Sequence, residues 1–129
     1  LPVIYEINRN TNLIRTRCVG NVTFEEVVGH FAELECNPQV PKQLDVLLDL
    51  SELTSVPGAD QLVSVAEEIG RIEGKVQFGL CGIIAPSDLL FGMSRMFEVF
   101  AARQFRATKV FRRMDDAEKW LASPIGVKN

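Results

Sequence analysis

The sequence predicts an α/β fold with a mostly parallel sheet, and three observations lead there. Residues 76–103, VQFGLCGIIAPSDLLFGMSRMFEVFAAR, read as one buried strand running straight into one amphipathic helix. Strand and helix patterns alternate through the rest of the chain, as they do where right-handed crossovers build a parallel sheet. The first twenty residues instead hold two short alternating segments with no helix between them, the pattern of an antiparallel hairpin. The predicted order is β-β-α-β-α-β-α-β-α.

Residues 3–7 alternate, with Val3, Tyr5 and Ile7 on one face and Glu6 on the other. NRNTN at 8–12 is a turn by composition. In the second strand, residues 13–19, Ile14, Thr16 and Cys18 share one face and Arg15 and Arg17 the other. That second face is therefore expected to meet water. Thr23 and Glu26 have capping-box spacing. Phe24, Val27, Val28, Phe31 and Leu34 then repeat at three and four, which predicts a helix ending near Cys36. Residues 37–43 are loop, and DVLLDL at 45–50 is a short central strand.

Pro57 and Gly58 punctuate the next connector, residues 51–58. A second helix is predicted over 59–73, with Leu62, Val65, Ala66, Ile69 and Ile72 inward and Gly74 ending it. The run Val76, Phe78, Leu80, Ile83, Ile84, Ala85 predicts a central strand over 76–85 covered on both faces. Pro86 stops it, and Ser87 caps the helix 87–103 with Asp88 in its first turn. Leu89, Met93, Met96, Phe97 and Phe100 are assigned to the core stripe of this helix. Phe91 then falls on the opposite side, near Arg95, Glu98 and Ala102. An edge strand over 107–112 and a closing helix from Asp115, with Ala117, Trp120 and Leu121 inward, complete the fold. Pro124 is expected to end that helix and 125–129 to be loose.

The 129 residues are 47% apolar and 24% charged, an ordinary globular balance, and they predict one domain over 1–129. With a net charge of −3 and no basic cluster, nothing recruits nucleic acid. No apolar run approaches the roughly 18–20 residues of a bilayer span, and LPVIYEINRN is too charged for a signal peptide. Three scattered cysteines, Cys18, Cys36 and Cys81, form no C-x-x-C, so free buried thiols in a reducing cytoplasm are expected.

Catalytic chemistry is not evident. His30 is the sole histidine and has no local nucleophile beside it. No set of residues has metal-ligand spacing, and no cofactor is implied. The loops 56–60 and 85–88 follow strands at the edge where α/β proteins bind ligands, but Asp60 and Asp88 in the first helical turns repel a phosphate.

Gly20-Asn21-Val22-Thr23, DVLLDLSEL at 45–53, APSDLLFGMSRMFE at 85–98 and DDAEKWL at 115–121 occur in an order that resembles the SpoIIAA-like fold. STAS domains, the anti-sigma-factor antagonists, share that fold, and CRAL-TRIO lipid-binding domains share it more loosely. The chain is closer still to small bacterial SpoIIAA-like proteins of unassigned function. The resemblance implies a binding role rather than a reaction. STAS antagonists carry a phosphorylatable serine at the start of the helix after the DLS strand. That position falls here at Gly58 or Ala59, without a hydroxyl, and leaves only Ser51, Thr54 and Ser55 upstream as substitutes.

Two binding readings follow. One is a protein-interaction module, self-associating or heterologous, that uses Phe91 and Arg95 with Asp88, Met93 and Met96 nearby. The other is a carrier or sensor of a small apolar ligand, entering between the 87–103 helix and the sheet.

Overall fold

The computed structural model describes residues 2–123; the expected stop at Pro124 and the 125–129 tail lie outside them. Five strands, β1 (Val3–Asn8), β2 (Leu13–Gly20), β3 (Gln43–Leu53), β4 (Gln77–Ile84) and β5 (Ala107–Phe111), alternate as predicted with four helices. These are α1 (Phe24–Cys36), α2 (Ala59–Arg71), α3 (Asp88–Phe100) and α4 (Met114–Ala122). The strands lie in sequence order across one sheet. β1 runs antiparallel to β2, and the other pairs are parallel.

Crossovers of one hand that all step the same way leave their helices on one face. Accordingly α1, α2 and α3 share a single core with that face, including Phe31, Leu34, Ala66, Ile69, Met93 and Phe97. α4 covers the other face, where Ala117 packs on Leu47 and Ile84. Leu121 and Trp120 of α4 lie where any side chain on Gly82 would point.

Both strands expected to be central are interior: β3 is the middle of the five, and β4 lies between it and β5. β4 is buried on both sides over its last five residues, Leu80 to Ile84. Cys81 and Ile83 face the three-helix core, while Ile84 faces α4. β3 is longer than the expected 45–50, because β2 continues beside it to pair Val19 with Glu52 and Gly20 with Leu53. α3 ends at Phe100, short of 103, because the chain turns to bury Phe105 against Phe78 and Phe97. The capping box of α1 is formed: Thr23 Oγ1 accepts from the Glu26 N–H, and the Thr23 N–H donates to Glu26 Oε1.

β3 and β4 do not pair in simple register. Leu44 lies opposite Phe78, yet Val46 lies opposite Cys81, so Asp45 alone faces both Gly79 and Leu80. This is a β-bulge, and its unpaired donor is not lost. The Leu80 N–H donates to Asp45 Oδ1 at 2.8 Å. A side chain at residue 79 would collide with that carboxylate, so the position needs glycine. The far side is fastened by the Arg106 N–H, which donates to the Gly79 carbonyl.

Asp45→Ala should cost about 1–3 kcal/mol, the penalty for leaving a buried N–H unpartnered. Gly79→Ala should cost a similar roughly 1–3 kcal/mol by overpacking. The two should be strongly non-additive, since the methyl added by Gly79→Ala collides only with an Asp45 carboxylate that the double variant lacks. Urea melts of the two single variants and the double variant test the coupling.

Candidate functional site

Space is left between the helix layer and the sheet under the middle of the helices. There the sheet presents the short side chains of Cys18 and Val46, and α1 and α2 answer with the equally short Val27 and Val65. Short against short leaves space. The result is a cleft of two compartments, of about 110 and 150 Å³. Cys18, Val27, Leu48, Val65 and Phe97 wall both. Cys18, Val27, Val46, Leu48 and Val65 therefore keep some accessible surface despite lying between the layers.

The outer compartment opens at the carboxyl edge of the sheet, beside Val22, Leu53, Ser55 and Pro57. Open α/β sheets bind ligands at that edge. Ser55 ties the two loops of this rim together: its Oγ accepts from the Val22 N–H and donates to the Val22 carbonyl. The inner compartment runs toward Ile14, Phe31, Phe78 and Phe105.

No Asp, Glu, Lys or Arg among the described residues lines either compartment. The titratable groups that do are held neutral. Burial pushes the His30 imidazole down to about 4, against a weaker opposing pull from Glu33. Its ring packs on Tyr5 and Phe31. The Cys18 thiol is pushed up to about 11 by burial first and by the Asp49 charge second. Cys81 is raised further still, by burial and then by the Glu98 charge. Thiolate nucleophiles are thus disfavoured here. Cys36, expected to be buried like the other two, is instead exposed, because it closes α1 beyond that helix's last buried residue, Leu34. No group of three or more potential metal ligands occurs among the described residues.

The residues singled out on the 87–103 helix fall differently from expectation. Its buried side is Leu90, Met93, Ser94 and Phe97, so the helix is turned from the predicted stripe. Leu89, Met96 and Phe100, expected inward, are exposed. The apolar arc of this helix, from Val99 through Leu89, Met96, Phe100 and Met93 to Phe97 and Leu90, is roughly half the circumference, and periodicity alone does not choose which part of it faces inward.

Phe91 is half-buried against the core rather than an exposed anchor. The Arg112 guanidinium stacks on its ring at 4.2 Å and also donates to Asp88 Oδ1 at 2.7 Å and to the Pro86 carbonyl. Arg95, grouped with Phe91 from the sequence, pairs with Glu98 at 3.2 Å. Of the five residues, only Met93 lines the cleft. Ser51 Oγ donates to Asp49, and Thr54 is exposed. Gly58 sits at the N-cap of α2 with no capping side chain. The short facing residues Cys18, Val27 and Val65 were visible in the sequence, but their convergence on one place needed the packing of helices on sheet.

Among solved structures the chain resembles an uncharacterised protein of the DUF3478 family with a SpoIIAA-like fold from Shewanella loihica PV-4. The TM-score is 0.63 at 21% identity, over 93% of this chain and 92% of that one. The fold is SpoIIAA-like, as the resemblance implied, and at this identity the likeness carries the fold alone. No family model matches the chain, and no curated protein matches it.

His30 gives the cleft wall a pH signature. Its folded pKa lies below the ordinary 6.5, so the unfolded chain binds the extra proton first as pH falls. Stability from this group is full above about 6.5 and is lost progressively down to about 4. The loss is on the order of 3 kcal/mol. Melts from pH 7 to 4 should show it, and His30→Gln should flatten that part of the slope.

Proposed function

We propose that this domain is a non-enzymatic binding module whose cargo is a small uncharged apolar molecule held between the helix layer and the sheet. One observation carries the reading: two adjoining apolar compartments, free of charged walls, the outer of which opens at the edge where sheets of this kind take ligands. Each compartment approaches the size at which an engineered apolar cavity, of about 150 Å³, admits a benzene ring. The neutral imidazole and thiols keep the walls apolar at neutral pH. No helix of the described residues is long and apolar enough to cross a membrane.

A second reading has its own observation. The outward face of α3 presents Leu89, Met96, Val99 and Phe100, with Leu89 65% and Val99 72% exposed. Apolar residues that repeat along one exposed helix face suit a protein partner or a second copy.

Native mass spectrometry of freshly purified protein should show a low-mass adduct that organic extraction releases. Cys18→Leu, which obstructs both compartments at the wall they share, should lose the adduct while changing stability by less than about 1.5 kcal/mol. A bare parent that also takes up no neutral one-ring probe such as toluene would refute the ligand reading. For the second reading, Val99→Glu should abolish concentration-dependent association in light scattering and leave stability within about 0.5 kcal/mol. A parent that stays monomeric removes the second copy as the occupant.

A further inference from the structure

Ser94 is out of place in an apolar core. It lies on the inner face of α3, 1% exposed, among Leu90, Met93 and Phe97. Serine in the middle of a helix normally faces water or bonds back to the carbonyl of the preceding turn. Ser94 Oγ does neither: it is buried and has no hydrogen-bond partner. An unpartnered buried hydroxyl is destabilising, and alanine would fill the same position without that penalty. Two such side-chain atoms occur among the described residues, Ser94 Oγ and Gln104 Oε1, and only Ser94 lines the cleft.

We infer that Ser94 recognises the single polar group of the ligand, and that the ligand is a neutral one-ring compound bearing one hydroxyl, a phenol or a cyclic alcohol. The inference rests on the apolar-ligand reading above. A serine hydroxyl both donates and accepts, so it pairs with a hydroxyl in either sense. An ionised carboxylate or phosphate is disfavoured, because the walls offer no counter-charge and desolvating the anion is costly. The volume of the outer compartment, about 110 Å³, suits one ring rather than a long chain. Met93, which lines the same compartment, is unbranched and flexible, so the wall beside Ser94 can adjust to an entering ring. The other polar side chains of this compartment, Ser55 and Gln61, belong to the rim loop and the first turns of α2, and Ser55 is already engaged with Val22.

Titration calorimetry of the parent and Ser94→Ala with p-cresol, toluene and p-toluate separates the possibilities. The variant should fold, with a melting temperature at or above that of the parent, since it loses an unsatisfied hydroxyl. Its affinity for p-cresol should fall about tenfold, equivalent to 1.4 kcal/mol, while that for toluene stays within about twofold. Toluene binding with p-cresol affinity unchanged in Ser94→Ala overturns the role of Ser94 and leaves the apolar cleft standing. p-Toluate binding as tightly as p-cresol overturns the neutral-ligand assignment. Failure of both neutral probes to bind the parent overturns the apolar-ligand reading, and the inference falls with it.

Discussion

The bulge at Gly79 and Leu80 sets the phase of everything carboxyl-terminal to it in β4. Before it, Phe78 points toward the three-helix core; after it, Cys81 and Ile83 do. Without the extra residue, that parity would reverse, because a shift of one residue along a strand exchanges its two faces. Gly82 would lose its place beneath Leu121, and Ile84 would leave Ala117. One carboxylate, that of Asp45, holds the arrangement by accepting the N–H that the bulge sets free. Both layers of helix thus depend on an interaction at the amino end of the sheet, far from the mouth of the cleft.

That division suits a binding domain. The amino end is fastened by Asp45, Gly79 and the Arg106 backbone, while the carboxyl end carries the loops that frame an opening. The space itself arises from side-chain length and not from a missing element. Cys18 and Val46 on the sheet meet Val27 and Val65 on the helices, and longer residues at these four positions would close the gap. Well-packed interiors rarely tolerate such voids, since each forfeits contact energy on both walls.

Much of this was legible in the chain. The order of elements, the hairpin, the capping box at Thr23 and Glu26 and the outward Arg15 and Arg17 follow from local pattern, which short-range physics decides. Which of the two central strands, β3 or β4, takes the middle place was less so, because an apolar run reports how fully a strand is covered and not where it sits. The cleft was not legible: Cys18, Val27 and Val65 lie far apart in sequence and meet only once helices dock on the sheet. The rotation of α3 escapes the sequence for a different reason. Leu89, Leu90, Phe91, Met93, Met96, Phe97, Val99 and Phe100 furnish two apolar stripes, and either reads as a core face.

That ambiguity belongs to the molecule itself. When the apolar arc of a helix is wider than the face it buries, burial alone scarcely discriminates between docking poses that differ by a modest rotation about the helix axis. The choice passes to weak polar contacts at the helix entrance: the Ser87 cap, and Arg112 reaching Pro86, Asp88 and the Phe91 ring together. Taken singly, the exposed ion pair and the cation–ring contact are each worth only about 1 kcal/mol or less. Their importance is selective. α3 is thereby the most frustrated element of the landscape, and a misrotated, near-native competitor is the trap its sequence invites.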